Sequence, residues 1–314
     1  MARVLRSPVA RAERVYGGYA PSATFRLRLE NGKRAFFKAS YPAPKGSGVR
    51  WVVDVEERNY RRLGELIRPW APRFLGSIKK AEWHVLLLED LGPRSVPPWT
   101  PSKVRTAARS YARFHKRTLG KRLPRWLSRE PYLAHSEFWR TLARTGDLAG
   151  TASLAGRRAD EAREWLDVAL PIFIALEKGL QRARPPFALL HFDTRSDNVR
   201  LNGDRLRIFD WPFASIGPAE FDVVGFAQAV PLESGPPPER VLAWYEEVLP
   251  LRPAMVDASL AGIAGYFADR AWRPPIGGLP RLRPWQRAQL GSCLGWAARR
   301  LDLPEPRWLA RVRS

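Results

Sequence analysis

Residues 187–224 read FALLHFDTRSDNVRLNGDRLRIFDWPFASIGPAEFDVV, and the punctuation of that stretch decides the fold. Phe187–Leu190 is a short apolar run suited to a buried strand. His191 follows it, a place where histidine more often makes a structural hydrogen bond than moves a proton. A polar loop comes next, with Asp193 and Asn198 five residues apart and Arg195 between them. VRLNGDRLRIF reads as a hairpin turning at Asn202-Gly203, and Asp210 stands directly after its second strand. A hairpin returns the chain to where it left, so Asn198 and Asp210 are expected together although twelve positions separate them.

Phosphoryl transfer asks a protein for positioning and charge stabilisation more than for covalent work. It needs an acid beside the attacking hydroxyl. It also needs hard oxygen ligands for magnesium, commonly a carboxylate with a neutral oxygen. Asp193 suits the first task, and Asn198 with Asp210 suits the second. Arg195 is placed to neutralise charge on the transferring group. Each of these alone is an ordinary loop residue. The joint order of strand, His-x-Asp-x-Arg-x-x-Asn, hairpin and Asp is what points to this chemistry.

Upstream, residues 11–39 read as three strands, RAERV, ATFRLRL and RAFFKAS. Tyr16-Gly17-Gly18-Tyr19 ends the first, and Asn31-Gly32 is a two-residue hairpin signal between the others. Gly17 and Gly18 would let backbone amides approach phosphates, or simply make a turn. In RAFFKAS, Phe36 and Lys38 share one face and Phe37 takes the other, so Lys38 faces either solvent or a partner. A Pro/Gly/Ser loop spans 40–50, and residues 51–68 then read as a helix striped by Val52, Val55, Tyr60, Leu63, Leu66 and Ile67. Glu56 lies on the inner, Tyr60–Leu63 side, where an acid needs a partner; Lys38 is the obvious one, and Glu57 is the competing acid. Residues 73–78 and 83–88 give two more strands, closed by Glu89-Asp90-Leu91-Gly92. That segment offers alternate backbone groups to a flat ring, or is a plain loop.

The Pro-rich run 93–101 marks a boundary. Beyond it, helices are expected at 102–119, 136–145, 159–182 (kinked at Pro171), 222–231, 238–249, 255–271 and 284–301, with a short last one at 305–312. Five strands with one inserted helix, then helices with a small strand island, make an α+β chain of two lobes, residues 1–92 and 93–314, with the polar loop near their junction.

Composition narrows the classes. At 314 residues and 45% hydrophobic the chain buries one or two sizeable cores and is not a disordered polymer. No apolar run approaches the ~18 residues of a membrane span, and the first residues lack the apolar core of a signal peptide, so the cytoplasm is the expected address. A single cysteine, Cys293, excludes an internal disulfide and a cysteine-based zinc site. The net charge of +22 suits either attraction to polyanions or an arginine-dressed, solvated surface. The basic residues do not interleave with aromatics in a nucleic-acid module, so a nucleic-acid partner is not favoured.

The chain resembles the aminoglycoside phosphotransferase and choline kinase group, a branch of the protein-kinase-like fold, over most of residues 11–301. The resemblance is carried by HFDTRSDN and IFDWPFASIGPAEFD, and further by AFFK, EERNYRRL and LLLEDL. It implies an N-terminal five-stranded antiparallel sheet with one helix as the nucleotide-binding lobe, and a mainly helical catalytic and substrate lobe. It implies ATP and Mg2+, and a small-molecule hydroxyl as acceptor. By that resemblance Lys38 would hold the α/β-phosphates with Glu56 as its helix partner, and Gly17 and Gly18 would belong to the phosphate-covering loop. The Glu89 carbonyl and Leu91 amide would meet the adenine edge. Asp193 would be the catalytic base, Asn198 and Asp210 the magnesium ligands, and Asp222 a brace on the catalytic loop. Arg195 falls where protein kinases usually carry a lysine contacting the transferred phosphate.

The sequence also departs from the family pattern. HFD stands for the usual HGD or HRD, DWP stands for DFG, and the phosphate loop is short of glycines. Only twelve positions separate Asp210 from Asp222, which leaves no room for a long activation segment and disfavours a protein kinase. A nucleotide- or polyanion-binding module that has kept the fold is the alternative from another class. Aminoglycosides are polycations that want an acidic cleft, and a chain of +22 points away from them.

Overall fold

The structure is a computed structural model, and it describes residues 1–16, 22–40, 53–81 and 83–312. In chain order the elements are α1 (Ala2–Leu5), β1 (Val9–Arg14), β2 (Ser22–Leu29), β3 (Arg34–Ser40), α2 (Val53–Ile67), β4 (Phe74–Lys80) and β5 (Trp83–Glu89). Then follow α3 (Pro101–Thr118), α4 (Glu130–Leu133), α5 (Phe138–Thr145), α6 (Leu148–Ser153), α7 (Ala159–Gln181) and β6 (Ala188–Leu190). The last are β7 (Val199–Asn202), β8 (Arg205–Ile208), β9 (Ser215–Gly217), α8 (Ala219–Ala229), α9 (Pro238–Glu246), α10 (Pro253–Ala271) and α11 (Leu282–Arg300). Short 3-10 turns intervene, and the 305–312 segment is one of them, at Arg307–Arg311, rather than an α-helix. The chain divides into two compact units: residues 1–96 with 196–213, and residues 97–195 with 214–314. Among the described residues no helix is long and apolar enough to cross a membrane.

The first unit is built on a five-stranded antiparallel sheet of order β1-β2-β3-β5-β4. Alternation sorts its faces as the pleat requires. Phe25 and Phe37 sit opposite each other in register, their rings 5.7 Å apart and edge to face. They pack on a core of Leu5, Leu27, Leu29, Ala35 and Leu87. The turn before β3 is longer than the two residues its Asn-Gly signal suggests. Leu29 donates its N–H to the Lys33 carbonyl, so Glu30, Asn31 and Gly32 form the loop, with Gly32 in the left-handed conformation at φ 77°. The Asn31 side chain accepts from Lys33 N, which favours this wider closure.

The hairpin β7–β8 pairs Asn202 with Arg205, so its turn is centred on Gly203-Asp204, one residue later than the Asn-Gly reading. Gly203 supplies the positive φ that the first loop position demands.

The second unit is mainly helical, with β6 paired antiparallel to β9. Its core is aromatic: Trp139 stacks on Phe173 at 4.6 Å, and the Trp139 indole N–H donates to the Ala261 carbonyl. Glycine lets α10 come that close. A Cβ at Gly265 would fall 2.9 Å from the Trp139 ring, and one at Gly262 would fall 2.7 Å from the His135 carbonyl. The long helix α7 carries Pro171 internally, and α4 and α6 are short helices that the apolar periodicity does not announce. Glu177 of α7, fully buried, accepts the Trp139 and Arg140 N–H groups at 3.0 Å each, so a carboxylate from a distant helix caps the first turn of α5.

Candidate active site

In the first unit, β3 and α2 present Lys38 and Glu56 to one another. The Lys38 ammonium lies 2.7 Å from Glu56 Oε2 and 2.6 Å from Asp210 Oδ1. The helical stripe that turned Glu56 inward leaves its neighbour outward: Glu57 instead takes Arg61, Ser77 and His84. Burial works against the Lys38 charge, but the carboxylates of Asp210 and Glu56 outweigh it and hold the ammonium above its ordinary range. Burial, opposed by Lys38 and helped by Asp210, pushes the Glu56 carboxyl up to about 7. The Glu56 side chain is 1% exposed, whereas that of Asp210 is 31% exposed. Glu56 is therefore enclosed, while Asp210 keeps one face toward the outside.

Asp210 sits at φ 67°, a left-handed conformation that a non-glycine residue adopts at a cost. Asn198 closes the base of the same hairpin: its carbonyl accepts the Phe209 N–H at 2.9 Å, which sets it against the residue before Asp210. The Glu89 carboxylate accepts from Arg73 N and from Arg207, so its side chain serves the sheet's end. Leu91 follows β5 half-buried, and the Gly92 amide turns back to Asp90 Oδ1 at 3.0 Å. Gly17 and Gly18 lie outside the described residues.

In the second unit, Asp193 is gripped by Arg195 through two parallel hydrogen bonds, Nε to Oδ1 at 2.6 Å and Nη2 to Oδ2 at 2.7 Å. Arg195 in turn lies over the Trp285 ring, 5.1 Å from its centroid. The loop leading to Asp193 hangs on Asp222. Its Oδ2 accepts the His191 N–H at 2.7 Å, its Oδ1 accepts the Phe192 N–H at 2.9 Å, and its carbonyl accepts the Thr194 hydroxyl. His115 stands 3.3 Å from the same Oδ2 and 2.7 Å from the Tyr245 hydroxyl. His115 lies in the helix expected over 102–119, and no local pattern signals this triad. Its members come from α3, α8 and α9, more than a hundred positions apart at the extremes, and only the fold joins them.

The residues present suit a divalent cation of the hard type. Asp210 offers a half-exposed carboxylate and Asn198 a neutral amide oxygen, a set that matches oxygen-preferring ions. Among the described residues no cluster of three His, Cys, Asp or Glu side chains is placed to hold a metal.

Solved structures share this architecture. An aminoglycoside phosphotransferase from Alicyclobacillus acidocaldarius is 16% identical, with a TM-score of 0.62, covering 100% of this chain and 95% of that one. A spectinomycin phosphotransferase, solved with ADP and spectinomycin, is 12% identical with a TM-score of 0.56 over 97% and 92% of the two chains. The choline kinase LicA from Streptococcus pneumoniae is 15% identical with a TM-score of 0.56 over 93% and 95%. At such identities the likeness speaks for the protein-kinase-like fold alone. No curated protein matches the sequence. The model of the phosphotransferase enzyme family does match it, over residues 18–256, and the chain belongs to that family.

Proposed function

We propose that this small-molecule phosphotransferase moves the γ-phosphoryl group of ATP to a hydroxyl of its acceptor, with Asp193 taking the hydroxyl proton. The acceptor oxygen forms its bond to phosphorus as the bond to the β,γ-bridging oxygen breaks, and the electron pair leaves with ADP. Lys38, aimed by buried Glu56, would bind the α/β-phosphates, and the Glu89 carbonyl and Leu91 amide would meet the adenine. Asn198 and Asp210 would hold Mg2+, which when bound neutralises phosphate charge. Asp222 fixes the backbone that carries Asp193.

The observation that supports this best is the Lys38 ammonium shared between Glu56 and Asp210 at 2.7 and 2.6 Å. A buried lysine held by two acids is costly unless something uses its charge. A phosphate bound beside Lys38 would use that charge, and the exposed face of the Asp210 carboxylate would be open to the metal.

Purified protein with Mg-ATP and a broad panel of hydroxyl compounds tests the reading. Asp193→Asn should keep nucleotide binding and lower transfer by a factor of about 10²–10⁴, the usual worth of a general base. Lys38→Met and Asp210→Asn should weaken Mg-ATP binding, read by fluorescence or calorimetry. Unchanged Mg-ATP affinity in both of these variants would remove the proposal.

A further inference from the structure

In the second unit α10, the turn after it and α11 carry a group of arginines to which phosphoryl transfer gives no use. Arg283 is only 8% exposed. Its guanidinium donates to the Pro274 carbonyl at 3.0 Å and to Gln286 Oε1 at 2.7 Å, both neutral oxygens, and it pairs with no carboxylate among the described residues. Arg287, half-buried one turn on, likewise donates to a carbonyl, that of Ala271. Arg270 and Arg273 share a single acid, Asp269, at 2.9 and 2.5 Å, with Asp147 a further 3.6 Å contact of Arg273. Four guanidiniums therefore answer to two carboxylates. A buried guanidinium with only neutral acceptors is held at a desolvation penalty that a second anion would offset. Burial, with Arg270 beside it, holds Arg283 below its ordinary range, the direction expected of a cation short of counter-charge.

This group is tied to Asp193 within the same unit. Trp285, under Arg195, packs edge to face on Phe267 at 5.5 Å. The half-buried Tyr266 beside it bonds Gln286, the partner of Arg283, and lies within electrostatic reach of Arg270, Asp193 and Arg195. One continuous set of side chains thus runs from Asp193 to Arg283.

We propose that the acceptor carries an anionic group, a carboxylate or a phosphate ester, and that Arg283 with Arg270 binds it while its hydroxyl meets Asp193. The proposal rests on Asp193 being the base. It excludes polycationic acceptors, which the same arginines would repel.

Calorimetry on the full chain with pyranose sugars matched in shape and different in charge is the test: glucuronate and glucose 6-phosphate against glucose and glucosamine. The two anions should bind at least tenfold tighter than glucose, with glucosamine weakest, and added salt should narrow the gap. The stronger of the two anions names the carboxylate or the phosphate. Arg283→Met should abolish the preference and leave Mg-ATP affinity unchanged, and Arg283→Lys should restore part of it. If Arg283→Met lowers the melting temperature, Arg270→Gln, on a half-exposed side chain, should still narrow the preference. Equal binding of the four compounds, no binding of any, a preference for glucosamine, or an anion preference untouched in both variants would overturn the proposal. Parallel phosphorus NMR with Mg-ATP separates the two readings. Transfer only to neutral or cationic compounds defeats the anion site alone, whereas anion binding without transfer to any compound defeats the phosphotransfer assignment of Asp193 alone.

Discussion

Asp222→Asn changes one atom pair and should disable the loop that presents Asp193. The wild-type carboxylate accepts two backbone N–H groups, from His191 at 2.7 Å and from Phe192 at 2.9 Å, one on each oxygen, with His115 also at 3.3 Å. The side chain is fully buried, so water cannot replace what is lost. An asparagine amide offers one oxygen and one NH2, so whichever way it lies, one backbone N–H faces a donor. A hydrogen bond to a charged group contributes about 1.5–3 kcal/mol, and a buried unsatisfied donor carries a penalty of about 1–3 kcal/mol. The clamp also holds Phe192 at φ 74°, a left-handed conformation costing about 1–2 kcal/mol for a residue with a Cβ. With part of the clamp gone, that strain favours release. The expected loss of stability is about 2–4 kcal/mol, read by urea unfolding, together with a fall in kcat larger than the change in nucleotide affinity. A loss under about 0.5 kcal/mol with wild-type kcat would refute the reasoning, because surface substitutions commonly fall in that range.

Glu177→Ala should destabilise the chain by about 2–4 kcal/mol in urea unfolding, since both first-turn N–H groups of α5 that it accepts would be left without their acceptor. His135, ringed by Phe138, Phe192, Phe221 and Tyr266, is held down to about 4 by burial, so it folds neutral. Its folded value lies below its unfolded one, so its contribution is fully present above about pH 6.5 and is lost as pH falls toward 4; the span from 6.5 to about 4 corresponds to about 3 kcal/mol. The wild-type melting temperature should fall relative to that of His135→Phe as pH drops through that window, and a wild-type curve as flat as the variant's would count against it.

Much of the fold was legible because it is written in short-range patterns. Alternation in ATFRLRL and RAFFKAS gave β2 and β3, and the stripe through Tyr60 and Leu63 put Glu56 inward, where the structure pairs it with Lys38. What escaped depends on distance or on single residues. Both Asn-Gly signals marked real hairpins, but the loop length of one and the centre of the other were settled by pairing register that a dipeptide does not carry. The Glu177 cap and the His115–Asp222–Tyr245 cluster join helices far apart in sequence, so no local pattern announces them. Arg195 is read from the sequence as able to neutralise charge on a transferring group, and its bidentate grip on Asp193 is a contact that the sequence reading does not include.

Two of the departures from the family pattern, HFD and DWP, have local compensation. Phe192 occupies a left-handed conformation without being glycine, and its ring stacks on Phe221 at 5.1 Å with the planes 9° apart. Ring stacking and burial of that kind contribute about as much as the backbone strain takes away. Asp210 is left-handed as well, and the residue after it is a tryptophan. Trp211 is wholly buried, its indole N–H donates to the Ile208 carbonyl at 2.8 Å, and its own carbonyl accepts from Asn59 of α2 at 2.7 Å. A flip of this segment would have to break both bonds and expose the indole, a penalty of several kcal/mol by area alone. At Phe192 the strain that a glycine would not carry is held by aromatic packing, and at Asp210 the strain is held by the buried Trp211. The acid that meets Lys38 is thereby held in one orientation, and control of this enzyme through movement of Asp210 is disfavoured by the residue that follows it.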